Sequence, residues 1–322
     1  MNIQSSFIKK FDNWKKEGVV IAPNFKKSWM KSHTAVPFVK KISKENFLIY
    51  FCIRDKKNRS HIVTKKINLN KKKKFGIDSS IILKPGRLGE FDENGVTATW
   101  VCEIKKSKYL YYVGWRPSNT VRFSLFVGLA IKRKNSKDFK KVGNFPILER
   151  SKVDPFLTGT LSILKEKKKF KMWYVSGEGW TKLNSKETIP RYNIKYAESH
   201  DGVKWERKGK VCINFKSKSE YAIARPSVLK INNVYYMWYC FKAINSEYKI
   251  GFAVSKNGIN WKRIDKFCNS LNQKRKAWDK KMLAYPHVIR NGNELLMFYN
   301  GNDYGKTGIA LAKLNLNFLK KN

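Results

Sequence analysis

Short apolar runs alternate along the chain with clusters of turn-forming polar residues, and the runs recur in a fixed order. Runs of this length, rich in aromatic and β-branched residues and bounded by Asn, Asp and Gly, predict strands rather than helices. One kind of run is aromatic: Phe47–Phe51, Tyr109–Val113, Phe170–Val175, Val234–Tyr239 and Leu295–Tyr299. Ahead of each lies a run of smaller residues: Ala35–Val39, Val96–Val101, Thr158–Ile163, Ala224–Val228 and Ala284–Val288. A third strand follows the aromatic one, clearest in Tyr196–Trp205 and Phe252–Trp261 and shorter at Gly128–Ile131. Asp201-Gly202 and Asn257-Gly258 predict tight type I′ hairpins there, since such turns need positive φ.

Five copies of this unit therefore align in phase. A polar residue opens each one: His33, Asp92, Asp154, Glu220 and Asp279, at spacings of 59, 62, 66 and 59 residues. A strand-rich unit of this length, repeated, predicts an all-β chain, a five-bladed β-propeller of four-stranded antiparallel blades. The small-residue strand is expected innermost, where strands crowd, with the aromatic strand next, filling the space between blades. Pro37, Pro226 and Pro286 fit that inner edge, where a missing N–H costs little. Residues 32–322 read as one propeller domain, and residues 1–31 as an extension that packs on it or closes it.

Composition narrows the class. Of the 322 residues 42% are hydrophobic and 14% aromatic, which excludes a disordered or fibrous chain. Neither a phosphate-binding GxxxxGK[ST] loop nor a strand-linked GxGxxG is present, which argues against a nucleotide cofactor. Cys52, Cys102, Cys212, Cys240 and Cys268 are scattered, without metal-ligand spacing. The first 16 residues are amphipathic and charged rather than a secretory signal, and no run approaches a membrane span, so a cytoplasmic protein is expected.

The net charge of +44 is extreme, and such a field attracts polyanions. Lysines are spread over the whole chain, however, mostly where turns are expected. A solvated lysine surface is therefore preferred to a dedicated nucleic-acid site.

Propeller topology places the start of the first strand and the end of the second on one face. The five opening residues should then meet Arg54, Asp55, Trp115, Arg116, Glu178, Trp180, Lys242, Asn302 and Asp303 at one mouth of the channel. Single acids at strand starts are usually turn formers. Their recurrence in four of five units is what points to a site.

The acid opening the inner strand, the Lys171-Met-Trp-Tyr174 and Tyr235-Tyr-Met-Trp-Tyr239 runs, and the Ala-x-Ser-x-Asp-Gly-x-x-Trp pattern at Ala197–Trp205 together form a signature. It resembles the five-bladed furanosidase-like propellers: glycoside hydrolase families 43, 62, 32 and 68 and the family 130 mannoside phosphorylases. The resemblance covers about residues 32–313. It implies that Asp154 tunes a pKa or stabilises the transition state, and that Glu220 is the general acid. His33 stands where the first blade of these families carries an acid, and the Asn-Asp-Pro-Asn-Gly and Glu-Cys signatures of family 32 are absent.

Glycosidic chemistry wants one protonated and one ionised carboxyl group, and crowding acids together raises one member's pKa. Glu220 is thus expected as proton donor and Asp92 as base or nucleophile, with Asp154 as the third catalytic acid. Arg54, Arg116, Arg225 and His287 suit an anionic group on the substrate. Trp115 and Trp180 suit stacking on sugar faces. His33, Asp55, Glu178, Asp279 and Asp303 complete the expected substrate contacts. The expected partner is a carbohydrate or glycoconjugate, with hydrolysis, phosphorolysis and transfer all open and the oligomeric state unspecified. No cofactor is required; a single channel Ca²⁺ occurs in such propellers, though no spacing here demands it. Two alternatives stand beside the enzyme: a non-catalytic sugar-binding or scaffold propeller, and a basic propeller that binds polyanions.

Overall fold

The computed structural model describes residues 8–71, 75–77, 80–184 and 187–320, so residues 1–7 of the extension lie outside the described residues. The chain is all-β. In order the strands are β1 (Lys15–Phe25), β2 (Met30–Lys41), β3 (Asn46–Asp55), β4 (Ser60–Asn68), β5 (Phe75–Ile77) and β6 (Ile81–Leu83). Then come β7 (Val96–Ile104), β8 (Ser107–Pro117), β9 (Phe123–Lys132), β10 (Lys140–Lys141), β11 (Thr158–Glu166), β12 (Lys169–Lys182), β13 (Thr188–Ser199) and β14 (Glu206–Ile213). The last are β15 (Glu220–Ile231), β16 (Val234–Ala243), β17 (Lys249–Ser255), β18 (Lys262–Arg263), β19 (Ala284–Asn291), β20 (Glu294–Asn300) and β21 (Ile309–Asn315).

Strands pair as four-stranded antiparallel sets in sequence order. β2-β3-β4-β6 and β7-β8-β9-β10 each form a sheet. β11 to β14 and β15 to β18 form two further runs, joined into one sheet by a single parallel bridge between Tyr192 and Ala222. The sheet β19-β20-β21 is extended from the other end of the chain, by β1 pairing antiparallel with β21 and the short β5 pairing parallel with β1. Every predicted small-residue and aromatic run lies within a strand, and the aromatic strand is second in its set. Its long side chains reach the neighbouring set: Tyr111 OH donates to the Gly202 carbonyl, and Trp173 Nε1–H to that of Gly258, both at 2.6 Å.

The turns after the third strand differ from the expectation. β13 ends at Ser199 and β14 starts at Glu206, and only Gly202 has positive φ, at 75°. Asp201 Oδ1 instead accepts the backbone N–H groups of Val203 and Lys204, at 2.8 and 2.9 Å. Asn257 does the same for Ile259 and Asn260. A carboxylate or amide that satisfies two backbone donors stabilises a wider turn than type I′. Two-residue turns with positive φ at both positions occur instead between first and second strands, at Lys105-Lys106 (47° and 62°) and Asn232-Asn233 (49° and 60°).

Each first strand carries a bulge near its start. Three place a pre-proline residue in the left-handed region: Val36, Arg225 and Tyr285, at φ 54°, 56° and 55°. Left-handed φ is costly for a β-branched or bulky side chain, and such strain concentrates where a side chain must be re-aimed. Val36 and Tyr285 are thereby turned into a central cavity.

Candidate active site

The repeated acids form a series of buried clasps. Asp154, 0% exposed, accepts from Ser176 Oγ (2.6 Å), from Tyr174 OH (3.1 Å) and from Arg207 Nη1 (2.7 Å). Asp279 accepts from Tyr299 OH (2.9 Å) and the Lys276 N–H (2.7 Å), and pairs with Lys16 Nζ at 2.5 Å. Glu220 is held by Arg263 Nη1 and Nη2 at 2.7 and 3.1 Å; the same guanidinium binds Asp265, to which Tyr239 OH donates at 2.5 Å. Asp92 pairs with Lys141 at 2.6 Å. In all four the cation lies on the fourth strand of the set: β10, β14, β18 or β1.

A carboxylate bound to its own sheet's outer strand is directed away from the inner strand. Asp92, Asp154, Glu220 and Asp279 accordingly do not line the central cavity, and the convergence expected from their phase is not what the structure has. Their recurrence has a local cause, since four of the five sets repeat the same acid-to-cation clasp. The first repeat has Phe51 where the others place the clasp tyrosine. Its nearby acid, Asp55, binds His61 (2.9 Å), Arg59 (3.1 Å) and two backbone N–H groups of its own turn.

The cavity measures about 1020 Å³ and takes residues from all five sequence repeats. Of the residues expected at the mouth it holds His33, Arg54, Trp115, Lys242 and Asp303. Arg116 is exposed beyond it at the end of β8, and Glu178 is paired with Lys195 at 2.9 Å. Trp180 lies behind the wall, its ring 5.2 Å from that of Phe123, which does line the cavity. Arg225 and His287 are buried below it. Arg225 Nη1 donates to the Thr99 carbonyl and hydroxyl (2.6 and 2.9 Å) and Nη2 to the Pro37 carbonyl (2.6 Å), tying three inner strands together. His287 packs against Phe38 and Trp100, with its Nε2 3.2 Å from the Val39 carbonyl. A guanidinium at the centre is a poor neighbour for Ca²⁺, and no group of three acidic, His or Cys side chains suited to a metal occurs among the described residues. The channel does not fit that ion.

Sequence reasoning missed most of the cavity wall. Tyr192, Tyr248, Tyr285 and Tyr304 form a connected phenolic surface. The Tyr192 and Tyr248 hydroxyls are 2.6 Å apart, and the Tyr248–Tyr285 and Tyr285–Tyr304 ring centroids lie 6.2 and 6.4 Å apart. Lys242 Nζ sits 3.1 Å from Glu247 and 3.3 Å from Tyr304 OH. Burial pulls its pKa down, but those two groups outweigh that and the net direction is upward, so it is a fixed cation. Arg122, Lys306 and Glu187 complete the charged lining. The Tyr285-Pro286 bulge and Lys242, at the end of β16, were the visible signals; Tyr192 lies within β13 and the others stand in connecting segments with no pattern.

His33 is the cavity's unusual member. It is 6% exposed, has φ 63°, and its Nδ1 lies 2.8 Å from Ser32 Oγ. Burial, then the charges of Arg54 and Lys306, push its pKa down to about 4, against an upward pull from Asp303. The imidazole is therefore neutral at neutral pH. Asp303 and Tyr304, at φ 53° and 57°, form a second strained pair directly on the cavity.

Sequence comparison gives the family. A protein of Mycobacterium tuberculosis (strain CDC 1551 / Oshkosh), the uncharacterized protein MT1551, is 33% identical over 302 residues, covering 94% of this chain and 99% of its own. The chain belongs to its family. Residues 182–317 also match the model of the β-1,4-mannooligosaccharide phosphorylases, glycoside hydrolase family 130. Among solved structures, a glycoside hydrolase superposes with a TM-score of 0.74 at 17% identity, covering 97% of this chain and 96% of that one. BT0996 in an RGII complex gives 0.73 at 17% identity, again covering 97% of this chain and 96% of that one. At this identity the superpositions establish the fold, which is that of the propeller-type glycoside hydrolases.

Proposed function

We propose that the protein is a carbohydrate-active enzyme built as a five-bladed propeller, the eight-stranded sheet counting as two blades, and that it works on glycosidic bonds in the central cavity. The observation that carries this reading is the cavity itself. It joins a tyrosine wall for sugar faces, the cations Arg54, Arg122, Lys242 and Lys306, and a carboxyl group at Asp303. Buried aromatic surface edged by a few polar groups is the usual composition of such a site.

Phosphorolysis is the reaction these residues favour. A hydrolase needs a base to take a proton from water. At the first repeat this chain offers His33, whose pKa near 4 makes it a weak base. Phosphate is already an anion and needs no such help. In the proposed step a phosphate oxygen held by the cations bonds to the anomeric carbon and the C–O bond to the leaving sugar breaks. The departing oxygen takes a proton that Asp303 relays from the attacking dihydrogen phosphate, giving a sugar 1-phosphate and a shortened glycan. The match to the mannooligosaccharide phosphorylase family supports a mannoside as substrate. Five free cysteines, four of them buried, suit the reducing cytoplasm.

The second reading, a sugar-binding propeller without catalysis, draws on the tie between Glu247 and Lys242, which leaves few free carboxyl groups in the cavity. Incubation with β-1,4-linked mannooligosaccharides and phosphate separates the two. Release of a sugar 1-phosphate by the protein, lost in Asp303→Asn, supports the enzyme. Oligosaccharide binding by calorimetry with no phosphorolysis supports the lectin-like reading instead.

A further inference from the structure

The end of the propeller opposite the cavity is chemically distinct. First and second strands meet there in two-residue turns, paired across Ile104/Ser107 and Glu166/Lys169, and third strands end there as well, Lys132 pairing with Lys108. Cavity residues such as Trp115 lie at the other ends of these strands. Contacts across sets hold the turns on one face: Lys40 pairs with Glu103, and Lys230 with Glu166, which also pairs with Lys171 of its own set.

Two-residue turns with positive φ strongly favour Asn and Gly. Two repeats obey, with Asn232-Asn233 and with Gly292-Asn293, where Gly292 has φ 64°. The second and third repeats place lysine there instead: Lys105 and Lys106 at 47° and 62°, and Lys167 at 51°, followed by Lys168. Left-handed backbone in a long side chain costs stability that asparagine would not. These four lysines and the nearby Arg133 and Lys134 are exposed and make no ion pair among the described residues, because the adjacent acids Glu103, Glu166 and Glu198 are already paired with other lysines. Strain accepted in order to display uncompensated charge is not explained by a generally lysine-rich composition.

From this we infer that the turn face of the second and third repeats docks the protein on an anionic lipid surface, with the sugar cavity held open on the far side. Lysine supplies point charges for a headgroup layer, whereas nucleic-acid sites rely on arginine forks and stacking aromatics. Among the described residues of these six turn positions there is one arginine and no aromatic side chain. The inference does not depend on the reaction in the cavity.

The test is co-sedimentation of the full chain with vesicles of phosphatidylcholine alone, or of phosphatidylcholine with phosphatidylglycerol. The docking variant carries Lys105→Asn, Lys106→Gly, Lys167→Asn and Lys168→Gly, changes that suit the turns and so preserve the fold. A control carries Lys56→Asn, Lys57→Asn, Lys218→Asn and Lys280→Asn, an equal loss of exposed charge elsewhere. The expected result is salt-sensitive binding to the anionic vesicles only, weakened at least about tenfold in the docking variant and little changed in the control. Equal weakening in both variants, absence of vesicle binding, or complete displacement from the vesicles by duplex DNA at low concentration would each overturn it.

Discussion

Arg263 grips Glu220 through two guanidinium nitrogens, at 2.7 Å to Oε2 and 3.1 Å to Oε1, with the two side chains 8 and 9% exposed. A buried pair of this kind is worth little against an apolar pair, but removing one member strands a charge. Glu220→Ala should therefore lower the unfolding free energy by about 3 kcal/mol in urea denaturation. Because Arg263 also holds Asp265, replacing both residues, Glu220→Leu with Arg263→Met, should recover only part of the loss. Oligosaccharide affinity should be unchanged in either variant.

Lys16 closes the last set by the same device, pairing with Asp279 from the opposite end of the chain. Burial lowers the Lys16 pKa despite the carboxylate, so desolvation dominates at this position. Lys16→Ala leaves Asp279 with Tyr299 and a backbone donor only, and should cost about 3 kcal/mol. The check is the denaturation midpoint, with the slope unchanged.

The neutral His33 makes stability depend on pH. Its folded pKa of about 4 lies below the ordinary value of 6.5, so between these values the unfolded chain binds more protons. This contribution is complete above pH 6.5 and is lost as pH falls toward 4. His33→Asn, which tolerates the positive φ, should flatten that part of the stability–pH curve. An NMR titration should place the His33 midpoint near 4.

Asp303→Asn keeps a side chain suited to the left-handed backbone there and should leave the melting temperature within a degree or so of the parent. If the carboxyl group delivers the proton, turnover falls by at least about 100-fold. A parallel loss of melting temperature would instead mark Asp303 as structural.

Much of the fold was legible because strand period and aromatic position repeat: Tyr111, Trp173 and Trp238 fill corresponding places in their sets. The site was less legible, for a physical reason. Repetition reveals what the repeats share, and an acid clasping a cation on its own fourth strand is shared by four of the five. A cavity at the axis is asymmetric, so its residues, Arg122, Glu187, Tyr248 and Lys306 among them, obey no period. His33 stood out in the sequence because it broke the pattern of acids. The structure gives that break a location, since the first repeat alone lacks the clasp and presents an imidazole to the cavity.

The most direct test of the assignment of chemistry to the cavity is a crystal structure with a β-1,4-mannooligosaccharide and phosphate bound. The account predicts sugar rings against Tyr248 and Tyr304 and phosphate among Arg54, Arg122 and Lys306, with the Glu220–Arg263 and Asp154–Arg207 pairs intact. A sugar held by Glu220 or Asp154, with either clasp opened, would contradict it.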